Sequence, residues 1–416
     1  MNFDVNYSKL KNGVRVLTIP MPGVESVTTM ILVKTGSRNE TKAQAGISHV
    51  LEHMVFKGTK KYPTPMALAE AVDGVGAEQN AFTSKEYTGF YITSAAKHVP
   101  LALDVQSEML MRPKLPADDL TREQGVIIEE INMYEDHPME RAGEEFENLM
   151  YDGSSMGRLI IGTKETVRAT TSDSLRKYMG DWYRGGNVLV VVAGKGKILE
   201  ERREILELVD EKFGGMGVGE IAGYTEPGVY GTERFVHVKK ETEQAHFVMG
   251  VPGIPLTDSR RYSLQLAQVI LGGSMSSRLF NEIREKRGLA YYVSSSVDMA
   301  YDCGYFSVRA GVKLANLGEA MGLVKDEMLK LGETFTNEEL SRAKEYVLGH
   351  LPLQLEDTMG VAQFFATRAL VLDEIRQPDE VVKAVQAVTL ADVQSVLKEL
   401  VKEGAIRTVV VGPKAS

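Results

Sequence analysis

Residues 46–58 read GISHVLEHMVFKG, in which His49, Glu52 and His53 stand at the spacing H-x-x-E-H. The surrounding apolar residues predict a helix, and on a helix two histidines four positions apart lie one turn above the other on the same face. Both imidazoles can therefore reach one metal ion. At about 100° per residue, Glu52 stays within the same sector of the helix and lies beside that ion. The fold must bring further ligands to this face.

A third ligand is required, because a catalytic zinc commonly takes three protein ligands and leaves a fourth position for water. The helical stretch REQGVIIEEINMYEDHPME, residues 122–140, offers Glu123, Glu129 and Glu130. Glu123 and Glu130 share one face about two turns apart, whereas Glu129 points roughly 100° away. The pair Glu123 and Glu130 is the more coherent choice for one site.

Composition narrows the class of protein. The chain has 416 residues, of which 43% are hydrophobic and 25% charged, a globular balance that favours two or more domains. A net charge of -9 makes a broad attraction to nucleic acid or to anionic membranes unexpected. Cys303 is the single cysteine, which excludes an intrachain disulfide and a cysteine-ligated zinc cluster. Any zinc must be held by histidines and carboxylates.

No targeting or spanning segment is recognisable in the sequence. The N-terminal MNFDVNYSKLKNGVRVLTI lacks the apolar run of a signal peptide. No later stretch approaches the roughly 18 apolar residues of a membrane-spanning helix. We therefore expect a soluble, cytoplasmic protein.

The chain divides into two halves of similar length. Residues 214–231, GGMGVGEIAGYTEPGVYG, are rich in glycine and lack periodicity, which predicts a linker between domains at 1–213 and 232–416. Both halves repeat one order of strand-like and helical patterns, with two or three helices expected between YFSVRAGV and the last strand of the second half. We predict an α+β fold of two homologous α/β-sandwich halves. H-x-x-E-H occurs only in the first half, so any metal site occurs once per chain.

These motifs resemble the pitrilysin-type, or inverzincin, zinc metallopeptidases, whose signature is H-x-x-E-H. In that family the third ligand lies about 77 positions after the second histidine, and 130 − 53 = 77 selects Glu130 over Glu129. The resemblance implies one Zn²⁺ per chain, bound by His49, His53 and Glu130. It also implies that Glu123 supports the site from behind the ligands and that Glu52 is the general base.

The resemblance also assigns substrate contacts. The segment GAEQNAFTSKEYTGFY, residues 76–91, is similar to the family's edge strand beside the zinc, where Asn80 and Ala81 contact the substrate backbone. In the second half, Arg284 and Tyr291 match an arginine and a tyrosine, seven positions apart, that bind substrate and polarise the tetrahedral intermediate.

At this length the chain resembles the branch that contains mitochondrial processing peptidase and its short bacterial relatives. That likeness implies an endopeptidase that hydrolyses short or unfolded polypeptides inside a closed dimeric chamber. Because this chain carries both the zinc motif and the Arg/Tyr pair, we expect a homodimer. The alternative is a non-catalytic or partner-dependent subunit of a processing-peptidase-like complex.

Overall fold

The computed structural model describes residues 1–196, 199, 202–224 and 228–413. The chain forms two compact units. Unit 1 comprises residues 1–131, 158–226 and 352–378, and unit 2 comprises residues 132–157, 227–351 and 379–416. Residues 225–227 of the predicted linker lie outside the described part of the chain. Within that part, no helix is both long and apolar enough to cross a bilayer.

The first sheet has six strands in the order β1-β2-β6-β3-β5-β4. Every residue of β6, VLVVVAG, is buried, as expected for a central strand covered on both faces. The strands are β1 Asn6–Lys9, β2 Arg15–Pro20, β3 Ser26–Val33, β4 Glu78–Thr83, β5 Thr88–Ala95 and β6 Val188–Gly194. The helices of the first half are α1 Ile47–Met54, α2 Pro65–Asp73, α3 Val99–Met111, α4 Ala117–Asp136, α5 Pro138–Met150, α6 Lys164–Ala169, α7 Ser172–Trp182 and α8 Arg202–Phe213.

The second sheet has five strands in the order β7-β11-β8-β10-β9. They are β7 Phe235–Lys239, β8 Gln244–Pro252, β9 Ala290–Met299, β10 Gly304–Lys313 and β11 Arg407–Gly412. The helices are α9 Arg261–Gly272, α10 Leu317–Thr334, α11 Asn337–Gln354, α12 Thr358–Val371, α13 Pro378–Ala387 and α14 Leu390–Leu400, and Phe280–Glu285 is a π-helical segment.

The two sheets share one topology. When the edge strand β1 is left aside, both sheets have five strands, and their order across the sheet is first, fifth, second, fourth and third along the chain. In each sheet the first and fifth strands, β2 with β6 and β7 with β11, are parallel, and the other neighbouring strands are antiparallel. Helix α1 follows β3, as α9 follows β8. The α+β class and the repeated order of elements predicted from the sequence are confirmed. The helix count was wrong: five helices, α10 to α14, separate β10 from β11, because connections as short as residues 335–336 hide the boundaries.

Each unit also incorporates a helix from the other half of the sequence. Helix α5 packs on β8 and β11 of the second sheet, and α12 packs on β3 and β6 of the first sheet. In unit 1, Thr28 and Thr358 share a buried hydrogen bond of 2.8 Å. Arg15 Nη1 donates to the carbonyl of Ala369 at 3.0 Å, which places a cation near the C-terminus of α12. The contiguous domains predicted from the sequence did not anticipate this exchange.

The role of α12 in unit 1 is testable at Phe365, whose side chain is 1% exposed. We expect Phe365→Ala to lower the free energy of unfolding by about 3–5 kcal/mol, because it leaves a cavity where a fully buried ring of α12 was packed. The neighbouring Phe364→Ala is the control, since Phe364 is only half-buried. Urea denaturation of both variants measures the difference, and equal losses would contradict the packing.

Candidate metal centre

A buried carboxylate fixes the start of α1. Glu40, which is 2% exposed, accepts hydrogen bonds from the backbone N–H of Gly46 at 2.7 Å and of Ser48 at 2.8 Å. Gly46 has φ of +90°, and a Cβ there would lie 2.6 Å from the carbonyl oxygen of Ile161. Only glycine fits this turn. Glu40 therefore bonds two N–H groups at the start of the helix, which have no partner within it.

Helix α1 and helix α4 bring three ligand atoms to one point. Nε2 of His49 and Nε2 of His53 each lie 3.8 Å from Oε2 of Glu130. One ligand atom from each of the three residues lies within 4.8 Å of the others. These separations leave room for an ion about 2 Å from every atom, the usual zinc distance to nitrogen or oxygen.

Glu123 contacts both His53 and Lys57. Its Oε2 lies 3.2 Å from Nδ1 of His53, while its Oε1 lies 2.6 Å from the ammonium of Lys57. A carboxylate held by Lys57 accepts but does not donate, so Nδ1 of His53 carries the proton and Nε2 keeps its lone pair towards Glu130. Two nitrogens and one oxygen, with a carboxylate behind one imidazole, fit the ligand set of a catalytic zinc.

Burial favours the neutral form of the His49 ring. The pKa of His49 is lowered to about 4, first by burial and then by the neighbouring His53. At neutral pH the ring is therefore uncharged.

Glu52 lies beside the three ligands and is held by the first sheet. Its Oε2 accepts a hydrogen bond of 2.6 Å from the hydroxyl of Thr83, the last residue of β4. Burial raises the pKa of the Glu52 carboxyl, and the bond from Thr83 opposes that rise. A half-buried carboxylate whose pKa is raised by burial is a better proton acceptor than a fully solvated one.

Strand β4 lies at the end of the sheet order and pairs with β5. Asn80 is exposed, and the backbone N–H of Ala81 donates to Oδ1 of Asn80 at 2.8 Å. The segment predicted to bind an extended peptide is thus an edge strand, and Thr83 links it to Glu52.

Arg284 and Tyr291 belong to unit 2, whereas the other predicted site residues belong to unit 1. The Arg284 guanidinium lies over the ring of Phe280, 4.8 Å from its centroid, and Tyr291 is 57% exposed on β9. The helix predicted here is π-helical at Phe280–Glu285. The substrate roles of the pair stay a prediction.

Three site residues were not singled out from the sequence: Glu40, Lys57 and Thr83. Lys57 lies three positions after the end of α1 at Met54, so helical spacing does not identify it. Thr83 shares a strand face with Ala81, so period-two alternation pointed to it. The role of Glu40 depends on a loop whose path the sequence does not indicate.

Comparisons with known proteins place the chain among metallopeptidases. A family model described as insulinase (peptidase family M16) matches residues 15–164, and one described as peptidase M16 inactive domain matches residues 169–347. An uncharacterized zinc protease of Streptomyces coelicolor is 35% identical over 95% of this chain and 87% of its own length. One of Bacillus subtilis is 36% identical over 94% of this chain and 95% of its own.

Solved structures share the fold. A protease from Helicobacter pylori superposes with a TM-score of 0.90 at 23% identity, over 99% of this chain and 100% of its own. A Pseudomonas fluorescens protein described as a peptidase M16 inactive domain gives a TM-score of 0.92 at 19% identity, over 99% and 98%. The family model described as an inactive domain covers α9, the helix of the second half that corresponds in chain order to α1. Its sequence, RYSLQLAQVILG, contains no histidine.

The geometry predicts which glutamate binds metal. Glu130→Gln is expected to weaken zinc affinity by at least about tenfold, because an amide is a poorer zinc ligand than a carboxylate. Glu129→Gln should leave the affinity unchanged, because Glu129 is exposed on another face of α4. Chelator competition followed by metal analysis measures both, and an equal effect of the two changes would contradict the assignment.

Glu40 predicts a pH dependence of stability in the zinc-free protein. Burial raises its pKa from 4.5 to about 7, against the opposing bonds from Ser48 and Gly46. Because the folded protein binds this proton more tightly than the unfolded chain does, protonation of Glu40 stabilises the fold. That contribution to the free energy of unfolding is full below about pH 4.5 and is lost as the pH rises through about 7.

Urea denaturation between pH 4.5 and 8 tests this, with Glu40→Gln as the reference that does not titrate. The free energy of unfolding of the native chain minus that of the variant should fall with rising pH and level off above about 7. A constant or rising difference would contradict the shift. Glu129→Gln, at an exposed position, controls for the loss of one carboxylate.

Proposed function

Because this chain belongs to the M16 family of peptidases, we propose that it is a zinc-dependent endopeptidase acting on short or unfolded polypeptides. The observation that carries the proposal is the convergence of His49, His53 and Glu130 beside the half-buried Glu52. Glu123 supports the ligand His53, whereas Glu52 is a further carboxyl group whose hydrogen bond comes from Thr83 of the edge strand and not from a ligand.

The chemistry divides between the metal and the protein. A zinc ion at this site would act as a Lewis acid and would lower the pKa of water at its open position. Glu52 accepts the proton of the attacking water while the hydroxide adds to the peptide carbonyl carbon. Glu52 then returns the proton to the amide nitrogen as the C–N bond breaks. Water is the only reactant added.

Peptide binding is proposed at two places. An extended substrate pairs with the outer edge of β4 near Asn80 and Ala81, where main-chain hydrogen bonds accept varied sequences. The exposed N–H of Ala81, bonded in the free chain to the side chain of Asn80, supports this use. Arg284 and Tyr291 are proposed to bind the substrate and stabilise the oxyanion, and their exposure suits contact with a ligand.

The assembly is proposed to be a homodimer that encloses the substrate. The support is that one chain carries both the zinc motif and Arg284 with Tyr291, so no second kind of subunit is needed to complete the set. Sedimentation equilibrium should give twice the monomer mass of 45.9 kDa. A monomer that cleaves peptide at full rate would contradict the dimer.

The decisive test is cleavage of a quenched, unstructured peptide, with zinc content assayed in parallel. Glu52→Gln should retain zinc but lose at least about 10²-fold in kcat, since it removes the base and keeps its shape. Glu129→Gln is the control and should cleave at the native rate.

One outcome would count against the function and another against the role of Glu52. A native chain with one zinc and no turnover would favour a non-catalytic or partner-dependent subunit, and a search for the missing subunit would follow. Full activity of Glu52→Gln would assign the base elsewhere.

A further inference from the structure

The hydroxyl of Thr83 is the contact between the edge strand and the candidate base. Its Oγ1 donates to Oε2 of Glu52 at 2.6 Å, and both side chains are half-buried. A hydrogen bond to an ionised carboxylate is shorter and stronger than a neutral one, and partial removal from water strengthens it further. It therefore restrains the rotation of the carboxylate.

The end of β4 is itself fixed. Thr83 lies opposite Thr88, and Phe82 lies opposite Gly89, in the register of β4 and β5. A Cβ on Gly89 would lie 2.3 Å from Cζ of Phe82, so the Phe82 ring fills the space that a side chain there would need. Slipping by one residue would move the ring to the other face of the sheet. The position of Thr83 is thus set by packing that does not involve the metal ligands.

We propose that Thr83 is a positioning residue that holds Glu52 so that Oε1 is the oxygen that accepts the proton from the attacking water. The inference rests on the proposed peptidase function. Since Oε2 already accepts a hydrogen bond from the Thr83 hydroxyl, Oε1 is left to accept the proton of the attacking water. The proton moves from water to Oε1 and then to the leaving amide nitrogen, and Thr83 keeps its own proton throughout.

This arrangement ties substrate binding to the base. Asn80 and Ala81 precede Thr83 on the same short strand, so a peptide paired with β4 is held by the element that aims Glu52. Misplacing a reacting group by about 1 Å can cost roughly 10²-fold in rate. The hydroxyl should therefore affect the chemical step more than the binding step.

The test compares Thr83→Val, which keeps the shape and removes the hydroxyl, with Thr83→Ser, which keeps the hydroxyl. Thr93→Val is the matched control, because Thr93 lies on β5 and its hydroxyl bonds to Thr28 at 2.9 Å. We expect Thr83→Val to lose tenfold or more in kcat with KM and zinc content unchanged. Thr83→Ser should recover most of the loss, and Thr93→Val should keep the native kcat.

The outcomes separate this inference from the proposed function. An active native chain with an unchanged kcat in Thr83→Val, or a loss that Thr83→Ser does not recover, would overturn the positioning role alone. A change confined to KM would assign Thr83 to substrate binding instead and would also overturn it. A zinc-loaded native chain without any turnover would overturn the peptidase function, and the role of Thr83 with it.

Discussion

The candidate site depends on a helix of eight residues, α1, which is too short to be stable alone. Isolated helices shorter than about 12–15 residues are marginal in water, so tertiary contacts must hold this one. Glu40 accepts hydrogen bonds from the N–H groups of Gly46 and Ser48 at the start of α1, and the apolar face of the helix is buried. The buried residues of α1 are Ile47, Ser48, Val50, Leu51 and Met54. Burial of one face leaves His49, Glu52 and His53 together on the other.

Charge balance explains why this arrangement calls for a divalent cation. Three carboxyl groups, those of Glu52, Glu123 and Glu130, lie close to the two imidazoles, and Lys57 pairs with Glu123. Charge in a half-buried place is costly unless it is paired. A Zn²⁺ ion bound by His49, His53 and Glu130 would supply such a pairing. The same groups thus explain both the fit of the metal and the need for Lys57 beside Glu123.

The exchange of α5 and α12 makes each sheet depend on a distant part of the chain. Helix α12 lies more than 160 residues after β6, yet it packs on β3 and β6 and is joined to the first sheet through Thr28 and Arg15. A boundary drawn at the glycine-rich residues 214–231 divides the sequence, and the packing follows other divisions. Truncation at that boundary would remove from the first sheet a helix that covers it.

The sequence by itself determined the features set by local periodicity. Helical spacing put His49 and His53 on one face and Glu123 with Glu130 on one face, and the repeated order of apolar patterns indicated two similar α+β halves. The likeness to a known family added the choice of Glu130. These inferences hold because side-chain direction along a helix or strand follows from residue number.

Only the tertiary structure decided how the separate elements meet. The contact of Thr83 with Glu52, the bonds from Glu40 to the start of α1 and the exchange of α5 and α12 join segments whose separation in sequence carries no periodic signal. Their geometry comes from close packing, in which each position depends on neighbours from other parts of the chain.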